Sequence, residues 1–181
     1  MSIEYFDNIV PFKTRHDILE LCLSSSLYLG WSDRSKLGNA ADDSNKSIPC
    51  LHSKWTEERI NRSDILFYVD DCIQKTSWFK YKNLNKVILN VVRTDDVHYI
   101  HVHPNEFAVL YYVNLDWKDG WYGETLFYNP NNLDEIIHTS IYKPGRIILF
   151  DGEIPHAIRP QSSNAPKYRL SLTLFFDDGK P

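Results

Sequence analysis

His101-Val102-His103, a distant His156, and Arg169-Leu170-Ser171 are the residues of this chain whose types and spacing could do chemistry together. Alternate side chains of a strand point the same way, so His101 and His103 can grip one ion while a distant strand supplies the third ligand. Neutral imidazole suits iron, zinc, copper and nickel, and an ion held by three protein ligands on one side keeps positions free for small molecules. His156 follows the apolar run 147–150 and the turn Asp151-Gly152-Glu153-Ile154-Pro155, which delivers it to the start of the next strand. Arg169 and Ser171 share a strand face by the same period of two. A guanidinium is a planar fork matching the two oxygens of a carboxylate, and such charge-assisted pairs are about twice as strong as neutral hydrogen bonds. Arg169 and Ser171, buried at the mouth of a barrel, would bind a carboxylate, and a dicarboxylic co-substrate fits.

These residues need strands to hold them. From Lys86 onward the chain breaks into short β-branched and aromatic runs separated by Asn, Gly, Asp and Pro, the texture of an all-β sandwich or barrel. About eight strands are predicted: Val87–Val92, Tyr99–Val102, Phe107–Asn114, Glu124–Tyr128, Ile136–Tyr142, Arg146–Phe150, Ala157–Arg159 and Arg169–Phe176. That number of short antiparallel strands suits a double-stranded β-helix, a jelly-roll barrel with an open mouth for a ligand. Before them, Thr14–Leu29 predicts a helix, with Thr14 and Asp17 spaced like a capping box and Ile18, Leu21, Cys22 and Ser25 on one face. A second helical region, roughly Thr56–Gln74, carries Ile60, Ile65, Phe67 and Val69 and should brace a sheet. Gly38–Ser47, rich in Asn, Asp and Ser, reads as a surface loop. The expectation is a mainly β jelly-roll braced by N-terminal helices: one domain over residues 1–181, with helical support to about residue 85 and the barrel from about residue 86.

Composition narrows the function classes. A chain of 181 residues can bury a core without disulfides or structural zinc, and Cys22, Cys50 and Cys72 show no Cys-x-x-Cys spacing, so they read as reduced packing residues. The net charge of −4 and the absence of a Lys/Arg cluster give no field for a phosphate backbone, so nucleic acid is not an expected partner. No apolar run approaches the length of a membrane span, and residues 1–11 show no basic stretch leading into an apolar one. No membrane partner and a cytoplasmic location are the expectations. The sequence does not set the oligomeric state.

With these pieces in place, residues 87–177 resemble the iron(II)- and 2-oxoglutarate-dependent oxygenases, specifically their prolyl 4-hydroxylase-like branch. His101-Val102-His103 stands where that family has His-x-Asp, and Leu110-Tyr111-Tyr112-Val113-Asn114-Leu115-Asp116-Trp117 is similar to its Tyr-Tyr-Leu-Asn-x-x-Trp strand. Trp121-Tyr122-Gly123-Glu124-Thr125-Leu126 resembles its Trp-Gly-Gly-Glu turn, and Pro144–Phe150 the strand before its distal histidine. Arg169-Leu170-Ser171 closes the series in order. The resemblance implies His101 and His156 as iron ligands, Arg169 as partner of the distal carboxylate of 2-oxoglutarate, and Tyr112 and Ser171 as hydrogen-bond donors to it. It also implies Fe(II), 2-oxoglutarate and O2 as the reaction's cofactor and co-substrates. The activity would be hydroxylation of an unactivated C–H, in a prolyl or other peptide or amino-acid side chain or a small molecule, coupled to decarboxylation of 2-oxoglutarate to succinate. No catalytic residue separate from the metal site is implied.

Two positions depart from the family pattern. Tyr122 replaces the first glycine of the turn, and His103 replaces the acidic ligand, leaving one more positive charge on the metal centre. Three arrangements follow: His103 coordinates, water or Glu106 fills the position instead, or the protein binds metal without hydroxylating. The first is favoured, because the spacing is that of the family's acid and imidazole is a good iron ligand. The competing functions are a cupin-type three-histidine dioxygenase that does not use 2-oxoglutarate, which would leave Arg169 and Ser171 without a role, and a non-catalytic jelly-roll binding module. His98, three positions before His101, is expected on the opposite strand face and outside the ligand set.

Overall fold

The computed structural model describes residues 2–31, 48–81, 83–96 and 98–177. Its elements are β1 (Ile3–Phe6), α1 (Phe12–Leu23), β2 (Tyr28–Trp31), β3 (Ile48–Lys54), α2 (Glu57–Arg62), α3 (Ile65–Gln74), β4 (Leu84–Val92), β5 (Glu106–Tyr112), β6 (Thr125–Asn129), β7 (Asn132–Ser140), β8 (Ile147–Asp151), β9 (His156–Ile158) and β10 (Arg169–Asp177). A seven-stranded sheet runs β1-β8-β5-β10-β4-β3-β2, and a three-stranded sheet runs β7-β6-β9, with antiparallel neighbours throughout. This is the expected jelly-roll, mainly β.

Alternation along β10 sorts the large sheet into two faces. Leu170, Leu172, Leu174 and Phe176 point to one side, where they join Val87, Leu89 and Val91 of β4, Val109 and Tyr111 of β5, and Ile147 and Leu149 of β8. Onto this side pack Ile18, Leu21 and Cys22 of α1 and Ile65, Val69, Cys72 and Ile73 of α3. A buried aliphatic side chain contributes roughly 1.5–3 kcal/mol, so this layer carries much of the stability and fixes the large sheet as a rigid floor. The opposite face carries Arg169, Ser171, Thr173 and Phe175 of β10 with Ile88, Ala108, Leu110, Tyr112, Ile148 and Phe150, and the small sheet closes over it with Phe127. Polar side chains thus enter the protein on the face between the sheets.

The N-terminal third differs from its expected helical character, because β1, β2 and β3 extend the large sheet at both edges. Helix α1 begins at Phe12 after Pro11, whose backbone is extended, and no side chain caps it, so Thr14 and Asp17 do not form a capping box. It ends at Leu23 instead of running to residue 29. The Ser24 and Ser25 hydroxyls turn back on the Leu21 carbonyl at 3.1 and 2.9 Å, and Arg59 donates to the same oxygen, local bonds that compete with another helical turn. The Thr56–Gln74 region is two helices. Asp64 adopts φ 53°, breaking the run, and the Ser63 hydroxyl donates to the Ile60 carbonyl at 2.6 Å. The Gly38–Ser47 loop lies outside the described residues. The three cysteines are buried free thiols, and no helix among the described residues is long and apolar enough to cross a membrane.

Candidate metal and carboxylate site

The expected Tyr99–Val102 strand reduces to one bridge. His101 and His156 pair antiparallel, each backbone N–H donating to the other's carbonyl at 3.0 Å. His103 is placed by a different tie, its N–H donating to the Gly152 carbonyl at 2.7 Å while the Gly152 N–H donates to Glu106 O at 2.9 Å. A Cβ on Gly152 would lie 2.3 Å from the Glu106 carbonyl oxygen and 2.5 Å from that of His103. Only glycine lets the turn after β8 come so close to the segment that carries the histidine pair.

These ties bring His101, His103 and His156 together, with one ligating atom from each within 4.8 Å of the others. Ring centroids are 4.4 Å apart for His101 and His156, 4.9 Å for His101 and His103, and 5.1 Å for His103 and His156. His101 Nδ1 lies 2.9 Å from the Tyr99 carbonyl and His156 Nδ1 lies 2.8 Å from that of Ile154. A carbonyl can only accept, so both Nδ1 atoms carry the proton, the arrangement that orients histidine ligands to offer Nε2 to a metal. His103 rests edge-on against Phe175 at 4.7 Å. Burial holds His103 and His156 neutral well below the usual histidine range, with repulsion from the neighbouring histidines adding to it. Neutral imidazole is the ligating form.

Glu106, weighed as a substitute ligand, is not in this group. It is paired with Lys86, Oε1 to Nζ at 3.1 Å. His98 also differs from expectation. Residues 98–100 are not in a strand, so period-two parity does not apply to them, and His98 lines the same cavity as the three histidines.

Ser171 and Thr125 line the same cavity, and behind them Arg169 is fully buried. Its Nε donates to the Gly123 carbonyl at 2.8 Å, Nη1 to Ser171 Oγ at 3.3 Å and Nη2 to Thr125 Oγ1 at 3.5 Å. The guanidinium stacks over the rings of Tyr142 at 4.8 Å and Tyr112 at 5.2 Å. Tyr112 lies 2.9 Å from Thr125 Oγ1 and donates to the Ser140 carbonyl at 3.3 Å, so its hydroxyl belongs to a chain of bonds that begins at Arg169. Gly123, φ 82°, gives Arg169 its room, since a Cβ there would meet Trp117 at 3.1 Å and the Arg169 side chain at 3.3 Å. Burial lowers the Arg169 pKa from its ordinary value. Among the described residues no carboxylate pairs with Arg169; Glu124, the acid whose charge reaches it, stands 3.9 Å from Arg159.

Thr125 and Tyr142 are the members of this end that sequence reasoning missed. Thr125 was legible in principle, since it alternates with Phe127 on the inward face of β6. Tyr142 was not, because it follows the end of β7, where alternation no longer reports direction. Between the histidines and the end marked by Ser171 and Thr125 lies a cavity of about 80 Å³, lined also by Ile88, Asn90, Leu110, Phe150, Thr173 and Phe175.

No protein-family model matches the chain, and no curated protein matches it. Solved structures do. A prolyl hydroxylase from Trichoplax adhaerens, in complex with a hypoxia inducible factor oxygen degradation domain peptide fragment, is 18% identical over 97% of this chain and 83% of its own, with a TM-score of 0.67. A Pseudomonas putida prolyl-4-hydroxylase is 15% identical over 98% and 93%, with a TM-score of 0.68. The viral collagen prolyl hydroxylase of Paramecium Bursaria Chlorella virus-1, as its 2OG complex, is 15% identical over 97% and 95%, with a TM-score of 0.62. With two antiparallel sheets, a histidine group and a buried arginine in the space between them, this chain has the fold of the prolyl hydroxylases and other 2OG-Fe(II) oxygenases.

Proposed function

We propose that this protein is an Fe(II)- and 2-oxoglutarate-dependent dioxygenase that hydroxylates an unactivated C–H of a peptide or amino-acid side chain, prolyl being the first candidate. The observation that carries the reading is Arg169, a buried cation with no carboxylate partner among the described residues, in the same intersheet space as three convergent histidines. An unpaired buried charge is costly, and an arriving carboxylate relieves that cost. The donor set fits iron, because imidazole ligates it well and both Nδ1 protons are committed elsewhere. The peptide in the Trichoplax adhaerens structure supports a peptide substrate here.

Iron held by His101, His103 and His156 would supply the oxidising chemistry, in which O2 and 2-oxoglutarate become a new C–OH, succinate and CO2. The chain's own work is placement. Arg169 and Ser171 receive the distal carboxylate, Thr125 and Tyr112 hold the guanidinium side in register, and the apolar walls Ile88, Leu110, Phe150 and Phe175 exclude water. A neutral donor set also suits a three-histidine dioxygenase that does not use 2-oxoglutarate, and a non-catalytic metal-binding module would keep the same residues.

An anaerobic titration with iron(II) and then 2-oxoglutarate distinguishes these. A saturating visible charge-transfer band is expected, and Arg169→Ala should weaken 2-oxoglutarate at least about a hundredfold, from roughly 3 kcal/mol for breaking a buried charge pair, while iron affinity stays unchanged. Iron binding with no band would replace this reading by one of the other two.

A further inference from the structure

We propose that His98 is a further binding residue of this cavity, its Nε2 donating a hydrogen bond to the carboxylic acid held between the three histidines and Arg169. The inference rests on the function proposed above. It begins from an unmade bond: His98 lines the cavity, and its Nε2 is buried without a partner among the described residues. Asn90, Thr125 and Ser171, which line the same space, have partners in the protein. Asn90 donates to Thr173 at 3.0 Å, Thr125 bonds Tyr112 at 2.9 Å, and Ser171 accepts from Arg169 at 3.3 Å. A buried polar atom left unpaired is disfavoured, and in a ligand cavity the missing partner belongs to the ligand.

The chain on both sides of His98 is anchored, so the ring is held in place rather than parked there. Asp96, 2% exposed, accepts from the Arg93 backbone N–H at 2.8 Å and from its guanidinium at 2.8 and 3.1 Å. After His98, the Tyr99 carbonyl receives the His101 Nδ1 proton at 2.9 Å. His98 therefore sits between a closed turn and the tie that orients a metal ligand. The charges of Arg169 and His101 both reach it, opposed by that of Asp96. Burial, with those two charges, pulls its pKa down to about 4, so near pH 7 the ring is neutral and offers one N–H. It is not a fourth metal ligand, since the convergent group comprises only His101, His103 and His156 among the described residues.

The test compares His98→Phe, which keeps a ring and removes the donor, His98→Ala, which opens space instead, and His98→Gln, which restores an N–H. Each protein is titrated anaerobically with iron(II) and then with 2-oxoglutarate alone. We expect unchanged iron affinity throughout, 2-oxoglutarate weakened about tenfold or more in the Phe and Ala variants, and recovery to within about threefold of the parent in the Gln variant. If the Phe variant does not fold, the Ala and Gln pair carries the comparison. If the parent binds 2-oxoglutarate and the loss variants bind it equally well, the role of His98 is wrong while the proposed function stands. A loss of iron affinity in step with 2-oxoglutarate would assign His98 to the metal site and also overturn the inference. If the parent does not bind 2-oxoglutarate, both readings fall together.

Discussion

Within the histidine group, His103 is the residue that departs from the His-x-Asp pattern the sequence resembles. An imidazole there leaves the metal centre one unit more positive than a carboxylate would, and burial keeps the ring in its neutral form. Replacing it tests whether it ligates. His103→Ala should weaken iron(II) at least about tenfold, whereas His103→Asp should keep iron and move the energy of the charge-transfer band with 2-oxoglutarate, because the ligand charge changes. An Ala variant with parental iron affinity would take His103 out of the ligand set. Arg169, Ser171 and Tyr112 were legible in the sequence because strand alternation fixes where each points, and His156 because a turn ends at a strand start; His101 and His103 converge with it through one bridge and the tie to Gly152, which alternation alone does not give. His98 was misplaced for the complementary reason: parity was applied to a segment whose backbone pairs only once, at His101.

At the level of elements, seven of the eight expected barrel strands were readable from β-branched and aromatic runs, with bounds shifted by a few residues, while Tyr99–Val102 reduced to a bridge. The edge strands β1 and β2 were not, being only four residues each, too short to establish a period. What secures β1 against β8, beyond its ladder, is Asp7 just past its end. Its carboxylate takes Arg146 Nε at 2.8 Å and Nη2 at 2.9 Å, with Lys143 Nζ at 2.8 Å. The Arg146 hydrogen bond is the main cause that lowers the Asp7 pKa to about 2 from 3.8. A carboxylate whose pKa falls on folding stabilises the protein above its unfolded pKa and loses that contribution as pH drops through the folded one. Asp7→Asn should therefore cost about 1 kcal/mol at pH 7, after allowance for partial exposure, and the gap to the parent should close between about pH 4 and pH 2. Urea unfolding of both proteins across that range checks it, and a gap that stays constant with pH would show that the ion pair is not its source.

On the scale of the whole molecule, the large sheet is packed on its outer side by α1 and α3, while the small sheet rests on it through fewer side chains. The proposed metal ligands come from both layers. His156 opens β9 of the small sheet, whereas His103 is tied to the turn that follows β8 of the large one. A bound ion would thus act as a clasp between layers as well as a reactive centre, stabilising the closed form by about 2.7 kcal/mol at a hundredfold excess over its dissociation constant. Chelation should then speed amide hydrogen exchange at His101, His156 and along β6 and β9 far more than in β4 and β10. Uniform protection with and without iron would argue against the clasp. The one-residue pairing of His101 with His156 has a further meaning for the life of the protein: a chain that loses its iron would loosen first where the iron must return, so the empty form opens its own door for reloading before the rest of the structure gives way.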